Sequence, residues 1–279
     1  MSDRLTSYDR DGLRFDVRDE GPLDGTPVVL LHGFPERATS WRLVAPLLHE
    51  AGYRTYAPDQ RGYSPCARPR RRRDHRSAEL RADVEALVAR IGSPVHLVGH
   101  DWGAAVAWDL AAHRSDLVRS LTAVSVPHPG AFVRAAATSR QGLHSWYMLF
   151  FQLPRVPEWS ARRPGGRFDR NLRRAGMTHD EVDRFRTEIV LDGALRGGLS
   201  WYRALPFADR SGLGARVAVP TTFVWSDGDT AIARRGVDLT AARVSGDYRL
   251  VVLEGVSHWI PTQAPAALAA AAIERMRSA

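Results

Sequence analysis

Apolar and polar positions along this chain follow two periods, and the switches between them outline its organisation. "LRFDVRD" (13–19) alternates apolar and polar, the pattern of a half-buried edge strand. "PVVLLHG" (27–33) is an unbroken apolar run ending in glycine, as expected of a strand covered on both faces. "SWRLVAPLLHEAG" (40–52) changes to helical spacing, with Ser40 as its cap and Gly52 as its stop. Another strand, "YRTYAPD" (53–59), an amphipathic helix, "SAELRADVEALVARIG" (77–92), and a strand, "VHLVGH" (95–100), continue the alternation. Strands separated by helices of this length predict a mostly parallel sheet with helices on both faces, an α/β fold.

The rhythm lapses after "LTAVSVPHPG" (121–130). From 131 to 212 no apolar strand run occurs, while "SWYMLFFQLP" (145–154), "DEVDRFRTEIV" (180–190) and "GGLSWYRALPF" (197–207) read as helical. Strand signals return with "VPTTFVWSDGD" (219–229) and "YRLVVLEGVSH" (248–258), followed by an alanine-rich helix. The pattern predicts a sheet domain in two parts, 1–130 and 213–279, interrupted by a helical insertion over 131–212.

Composition narrows the class without pointing to chemistry. The chain has 279 residues, of which 44% are hydrophobic and 25% charged, enough for one large α/β domain with an insertion. Its formal charge is +8, and every basic residue other than histidine is arginine. The densest cluster, "ARPRRRRDHR" (67–76), contains no aromatic and lies between prolines and a helix start, which predicts a solvated loop rather than a nucleic-acid contact. "AALAAAAI" is too short to span a bilayer, and the charged N-terminal stretch lacks the apolar core of a secretory signal. With a single cysteine, Cys66, these features predict a cytoplasmic protein with neither nucleic-acid nor membrane partner.

Candidate chemistry enters with "LVGHDWGAAVAWDL" (97–110), a strand, a tight turn Gly99-x-Asp101-x-Gly103, and a helix start. Such a turn pushes its central side chain outward at the carboxyl end of the sheet, where ligands of open α/β sheets collect. The helix N-terminus behind it favours an ionised carboxylate. Asp101 could serve there as a helix cap alone. As a nucleophile, it would attack an sp³ carbon carrying a leaving group and become an ester, which water must then break. That second step needs a histidine and an acid to orient it. The turn after "TTFVW" supplies Asp227 and Asp229, and the turn after "LVVLEG" supplies His258. Asp229, at the end of its turn, reads as the orienting acid and Asp227 as a turn cap. "HGFP" (32–35) follows a buried strand, so the backbone N–H of Phe34 can join that of Trp102 as an oxyanion site. His32, His100, His128 and Arg61 read as structural supports of the loops around these groups.

These residues resemble the α/β-hydrolase family, and within it the epoxide hydrolases. "HGFP", "DQRGYS", "GHDWGAAVAW", "VWSDGD" and "GVSHWIP" occur in the family's order and span nearly the whole chain. The resemblance implies an α/β-hydrolase fold with a helical lid, and conversion of a small hydrophobic epoxide and water to a vicinal diol without metal or organic cofactor. It assigns Tyr147, in "WYMLFFQLP", and Tyr202, in "LSWYRA", to the two lid tyrosines that donate to the epoxide oxygen. A phenol suits that role because it is neutral near pH 7 yet still donates. Phe34, Trp102, Phe151 and Trp259 are expected to line the substrate pocket. Dehalogenases share the Asp–His–Asp set. Haloalkane dehalogenases, however, place Asn or another halide-binding residue where this chain has Phe34, and haloacetate dehalogenases carry arginines where it has Trp102 and Ala105. A third reading is a non-catalytic binding protein of the same fold, which the complete set of reactive residue types argues against.

Overall fold

The structure is a computed structural model that describes residues 3–209 and 211–279. Its strands are β1 (Ser7–Arg10), β2 (Leu13–Glu20), β3 (Thr26–Leu31), β4 (Tyr53–Pro58), β5 (Val95–His100), β6 (Val118–Val124), β7 (Thr221–Ser226) and β8 (Tyr248–Leu253). They form one sheet in the order β1-β2-β4-β3-β5-β6-β7-β8. β2 pairs antiparallel with both β1 and β4, and the other pairs are parallel.

Helices α1 (Ala45–Glu50), α2 (Ser77–Ile91) and α3 (Trp102–His113) connect the first strands. Between β6 and β7 the chain runs through α4 (Pro129–Thr138), α5 (Gln141–His144), α6 (Trp146–Gln152), α7 (Val156–Ala161), α8 (Arg167–Arg174), α9 (His179–Phe185) and α10 (Leu195–Ala204), with no strand among the described residues. α11 (Arg234–Thr240), α12 (Ile260–Gln263) and α13 (Pro265–Arg277) complete the fold.

Alternation along the strands builds a core on each face of the sheet. Val28, Leu30 and Val98 pack with Leu48 of α1 and Leu268 and Ala272 of α13. Val29, Leu31 and Leu97 point the other way, toward α2 and α3. The aromatic residues of the β6–β7 helices extend this second core: Phe168 stacks on Phe185 with centroids 5.3 Å apart. α10 is held directly over the loop after β4. A Cβ on Gly197 would stand 2.0 Å from the Gly62 carbonyl, so the two backbones meet only because both residues are glycine. Beside them the Trp201 indole donates to the Arg61 carbonyl at 2.7 Å, and the buried Arg61 guanidinium grips Asp83 through two bonds of 2.7 Å.

Two sequence expectations need correction. β2 is not an edge strand, because the hairpin partner β1 covers it, with Tyr8 stacked on Phe15. The helix expected over 40–52 is two pieces, a 3₁₀ segment at Ala38–Leu43 that contains Ser40, and α1. Pro46 explains the break, since it has no N–H to return to the Arg42 carbonyl and its ring crowds that carbonyl. α11, between β7 and β8, is an additional helix. The arginine run is exposed over residues 70–73.

Candidate active site

Asp101 sits between β5 and α3 with φ 52° and ψ −121°, backbone that a non-glycine residue adopts only under strain. The turn closes this tightly because its flanks carry no side chains. A Cβ on Gly99 would lie 2.4 Å from the Gly103 carbonyl oxygen, and one on Gly103 would lie 2.1 Å from the Leu31 carbonyl oxygen. Gly33, in the facing loop, makes room for Asp101 itself: a Cβ there would stand 2.4 Å from the Asp101 Cβ.

The carboxylate raised by this turn is buried and hydrogen-bonded. The Phe34 N–H donates to Asp101 Oδ1 at 2.8 Å, and the Trp102 N–H also bonds the carboxylate. Burial opposes its ionisation. The hydrogen bond and charge of His258, the nearby His100 and the Trp102 N–H outweigh burial and hold its pKa below the ordinary value.

His258 follows β8 and faces Asp101, with Nε2 3.4 Å from Asp101 Oδ2. Its Nδ1 lies 2.7 Å from Asp229 Oδ2. Asp229 Oδ1 accepts from the Ala231 and Ile232 N–H groups at 2.7 and 2.9 Å, so this carboxylate is fixed on both oxygens. Asp227 turns elsewhere and accepts from the Gly255 N–H at 2.7 Å, tying the two loops together. The His258 carbonyl accepts from His100 Nε2 and Ser125 Oγ, both at 2.9 Å, which fixes the backbone behind the ring. Burial disfavours a charged His258 ring, but the carboxylates of Asp229 and Asp101 prevail and push its pKa up to about 10.

Tyr147 of α6 and Tyr202 of α10 line the same cavity as Asp101 and Trp102. Their rings meet edge to face with centroids 6.1 Å apart, and the Trp102 indole N–H donates to the Tyr202 phenol oxygen. Burial raises both phenol pKa values, and the Asp101 charge raises them further. The cavity holds about 350 Å³ and its wall is largely apolar. It runs along α3 past Ala105 and Asp109, about 12 Å from Asp101 by helical rise. Asp109 is held there by Arg81 at 3.2 Å and His113 at 3.1 Å.

Three expected pocket residues do not line this cavity. Phe34 and Phe151 pack behind Tyr202, with ring centroids 5.3 and 4.9 Å from it, because edge-to-face contacts among the three fill that space. Trp259 packs instead against Met177, Val182 and the His100 ring. The opposite wall, which the sequence reading missed, comes from Phe132 and Val133 of α4 and from Leu205, Ala208 and Leu213. Of the supporting residues, His32 Nε2 accepts from the Gln60 N–H at 3.1 Å, and His128 Nδ1 caps α4 through the Gly130 N–H at 3.1 Å.

The sequence profile of the α/β hydrolase fold family matches residues 26–265. The chain belongs to that family. Among curated members it is 34% identical over 262 residues to the AB hydrolase superfamily protein YfhM of Bacillus subtilis, covering 91% of each chain. It is 33% identical over 308 residues to Epoxide hydrolase A of Mycobacterium tuberculosis, covering 95% of each. The crystal structure of Epoxide Hydrolase A from Mycobacterium thermoresistibile superposes with a TM-score of 0.84 at 30% identity and 97% coverage of both chains. The family's fold matches the architecture described above, and the relatives covering nearly its full length include epoxide hydrolases.

Proposed function

We propose that this family member is an epoxide hydrolase that opens a hydrophobic epoxide to a vicinal diol through an ester on Asp101, with residues 131–212 acting as its lid. One observation carries the reading. A carboxylate held on backbone N–H groups and facing a His–Asp pair shares a single apolar cavity with two phenols. Dehalogenation also uses a carboxylate and a His–Asp pair, but it creates no alkoxide for two phenols to protonate. The relatives named epoxide hydrolases support the same activity. The exposed Cys66, alone of its kind in the sequence, fits work in a reducing cytoplasm.

The geometry gives each group a task. Asp101 Oδ1 is engaged by the Phe34 N–H, which leaves Oδ2 to attack an epoxide carbon. The ring C–O bond breaks, and the departing oxygen takes a proton from Tyr147 or Tyr202. Esterification removes the Asp101 charge. That loss releases one of the pulls holding the His258 proton, and it also lowers both phenol pKa values as the proton is needed. His258, oriented by Asp229, releases its proton to solvent, and the neutral ring then takes a proton from water attacking the ester carbonyl. The developing oxyanion forms on Oδ1, already facing the Phe34 N–H. Collapse passes the His258 proton to the leaving oxygen, the proton released as Asp101 ionises restores the phenol, and His258 regains its resting proton from solvent.

The test is His258→Gln mixed with an epoxide such as styrene oxide. The expected result is lost turnover together with an intact-mass increase equal to one substrate molecule, mapped to the peptide carrying Asp101. Lost turnover with an unmodified Asp101 would overturn the ester route.

A further inference from the structure

α6 turns Tyr147, Met148 and Phe151 toward the core and cavity, yet its outer side is apolar too. Trp146 is 54% exposed and Leu149 76% exposed on that outer side. Leu143 of α5, then Leu153, Val156 and Trp159 toward and along α7, continue the exposed row. The three-residue spacing of Trp146 and Leu149 in α6, and of Val156 and Trp159 in α7, sets each pair on one helix face. A surface helix with no polar face, within a contiguous run of exposed leucine and tryptophan, marks a contact surface.

Charge identifies what covers it. Among the described residues from 134 to 174, every exposed formally charged side chain is an arginine, including Arg140, Arg155, Arg162, Arg163, Arg167 and Arg170. The two carboxylates in that stretch are already committed: Glu158 to Arg203 at 2.6 Å and Asp169 to Arg186 at 2.9 Å. A second copy docked face to face would set arginine against arginine. An anionic bilayer meets both demands, offering lipid phosphates to the guanidinium groups and an acyl boundary to the leucines and indoles. The Arg163 guanidinium already lies 4.7 Å above the Trp159 ring, a charged tip on an apolar body. No helix among the described residues is long and apolar enough to cross a membrane, so the contact is superficial.

We propose that the outer face of α5–α7 docks on an anionic phospholipid bilayer. This face is independent of the reaction assigned to the cavity, although it sits on the same helix whose inner side receives the substrate.

The experiment measures co-sedimentation of the whole chain with vesicles of phosphatidylcholine and of an equimolar phosphatidylcholine–phosphatidylglycerol mixture. Binding is expected to the anionic vesicles, to weaken as salt is raised, and to quench tryptophan fluorescence when the lipid acyl chains are brominated. Leu149→Glu removes little packing because the side chain is largely exposed, and it should lower the partition coefficient roughly 10-fold or more, the effect of withdrawing one leucine from an apolar phase. Leu23→Glu changes charge equally at an exposed position beside Arg54, at the opposite edge of the sheet, and should bind as the parent does. Undiminished binding by Leu149→Glu, or binding without quenching, overturns the proposal in favour of general charge attraction. A solution dimer that Leu149→Glu dissociates overturns it in favour of a second copy. No anionic-vesicle binding even at low salt overturns it in favour of an acidic protein partner.

Discussion

Nε2 of His258 stands 3.4 Å from Oδ2 of Asp101, close enough for each group to hold the other charged. With Asp229 on its far side, the buried ring keeps its proton up to about 10. Such a ring is a poor base until Asp101 becomes an ester and loses its charge. Ring opening should therefore hold its rate into mildly acidic solution, because the Asp101 pKa is lowered. Ester hydrolysis should rise with an apparent pKa well below 10. Single-turnover stopped-flow measurements across pH separate the two steps, and an ester-hydrolysis midpoint near pH 10 would contradict the coupling. Stability follows the same sign. A folded-state pKa of about 10 above the ordinary 6.5 gives stabilisation that is complete below 6.5 and lost as pH rises through 10.

The two phenols share one cavity with Asp101, so each can support the departing oxygen when the other is absent. Single Tyr147→Phe and Tyr202→Phe changes should each slow ring opening, and the double change should slow it roughly 10²–10⁴-fold. Ester hydrolysis should change little, because neither phenol serves that step. Burst amplitude against steady-state rate reads the difference. A double variant that opens epoxides at the parent rate would remove the phenols from the mechanism.

Much of this arrangement is legible in sequence because its causes are local. Gly99 and Gly103 mark the elbow at fixed offsets from Asp101, and apolar runs place Asp229 and His258 after strands that end at one sheet edge. Asp11-Gly12 was equally local. Both residues have positive φ, 50° and 75°, and close the β1–β2 hairpin with the dipeptide such turns favour, a signal the alternating pattern of β2 overshadowed. The cavity wall was not legible. Val133 and Leu213 form one wall from positions 80 apart, and no period or motif links them. Trp259 illustrates the same limit: its place beside His258 in the chain suggested the pocket, but the backbone turn sends its ring toward Met177.

Gly103 offers a test of the elbow's packing free of any assumption about chemistry. Alanine in place of glycine inside a helix usually stabilises by about 1 kcal/mol. Here the added methyl would stand 2.1 Å from the Leu31 carbonyl oxygen and 2.6 Å from that of His32, and backbone cannot swing aside as a flexible side chain does. Gly103→Ala should therefore destabilise by roughly 1–3 kcal/mol, measured by urea unfolding. A stabilised variant would mean that β3 and α3 are less tightly joined than described.

Ala105 lies one turn beyond Asp101 on α3 and lines the cavity where it continues toward Asp109. A large ring there should close the cavity's length while leaving Asp101, His258 and the phenols in place. Ala105→Phe is accordingly expected to lower kcat/KM for long-chain terminal epoxides roughly 10–100-fold relative to short ones, the discrimination that a few obstructed methylene positions provide. The readout is the ratio of kcat/KM values for a short and a long terminal epoxide in parent and variant, with His258→Gln adduct formation as a check that the short substrate still reaches Asp101. An unchanged ratio would place the substrate's chain outside the space along α3, and a uniform loss with both substrates would mean that the ring had disturbed the elbow rather than the channel.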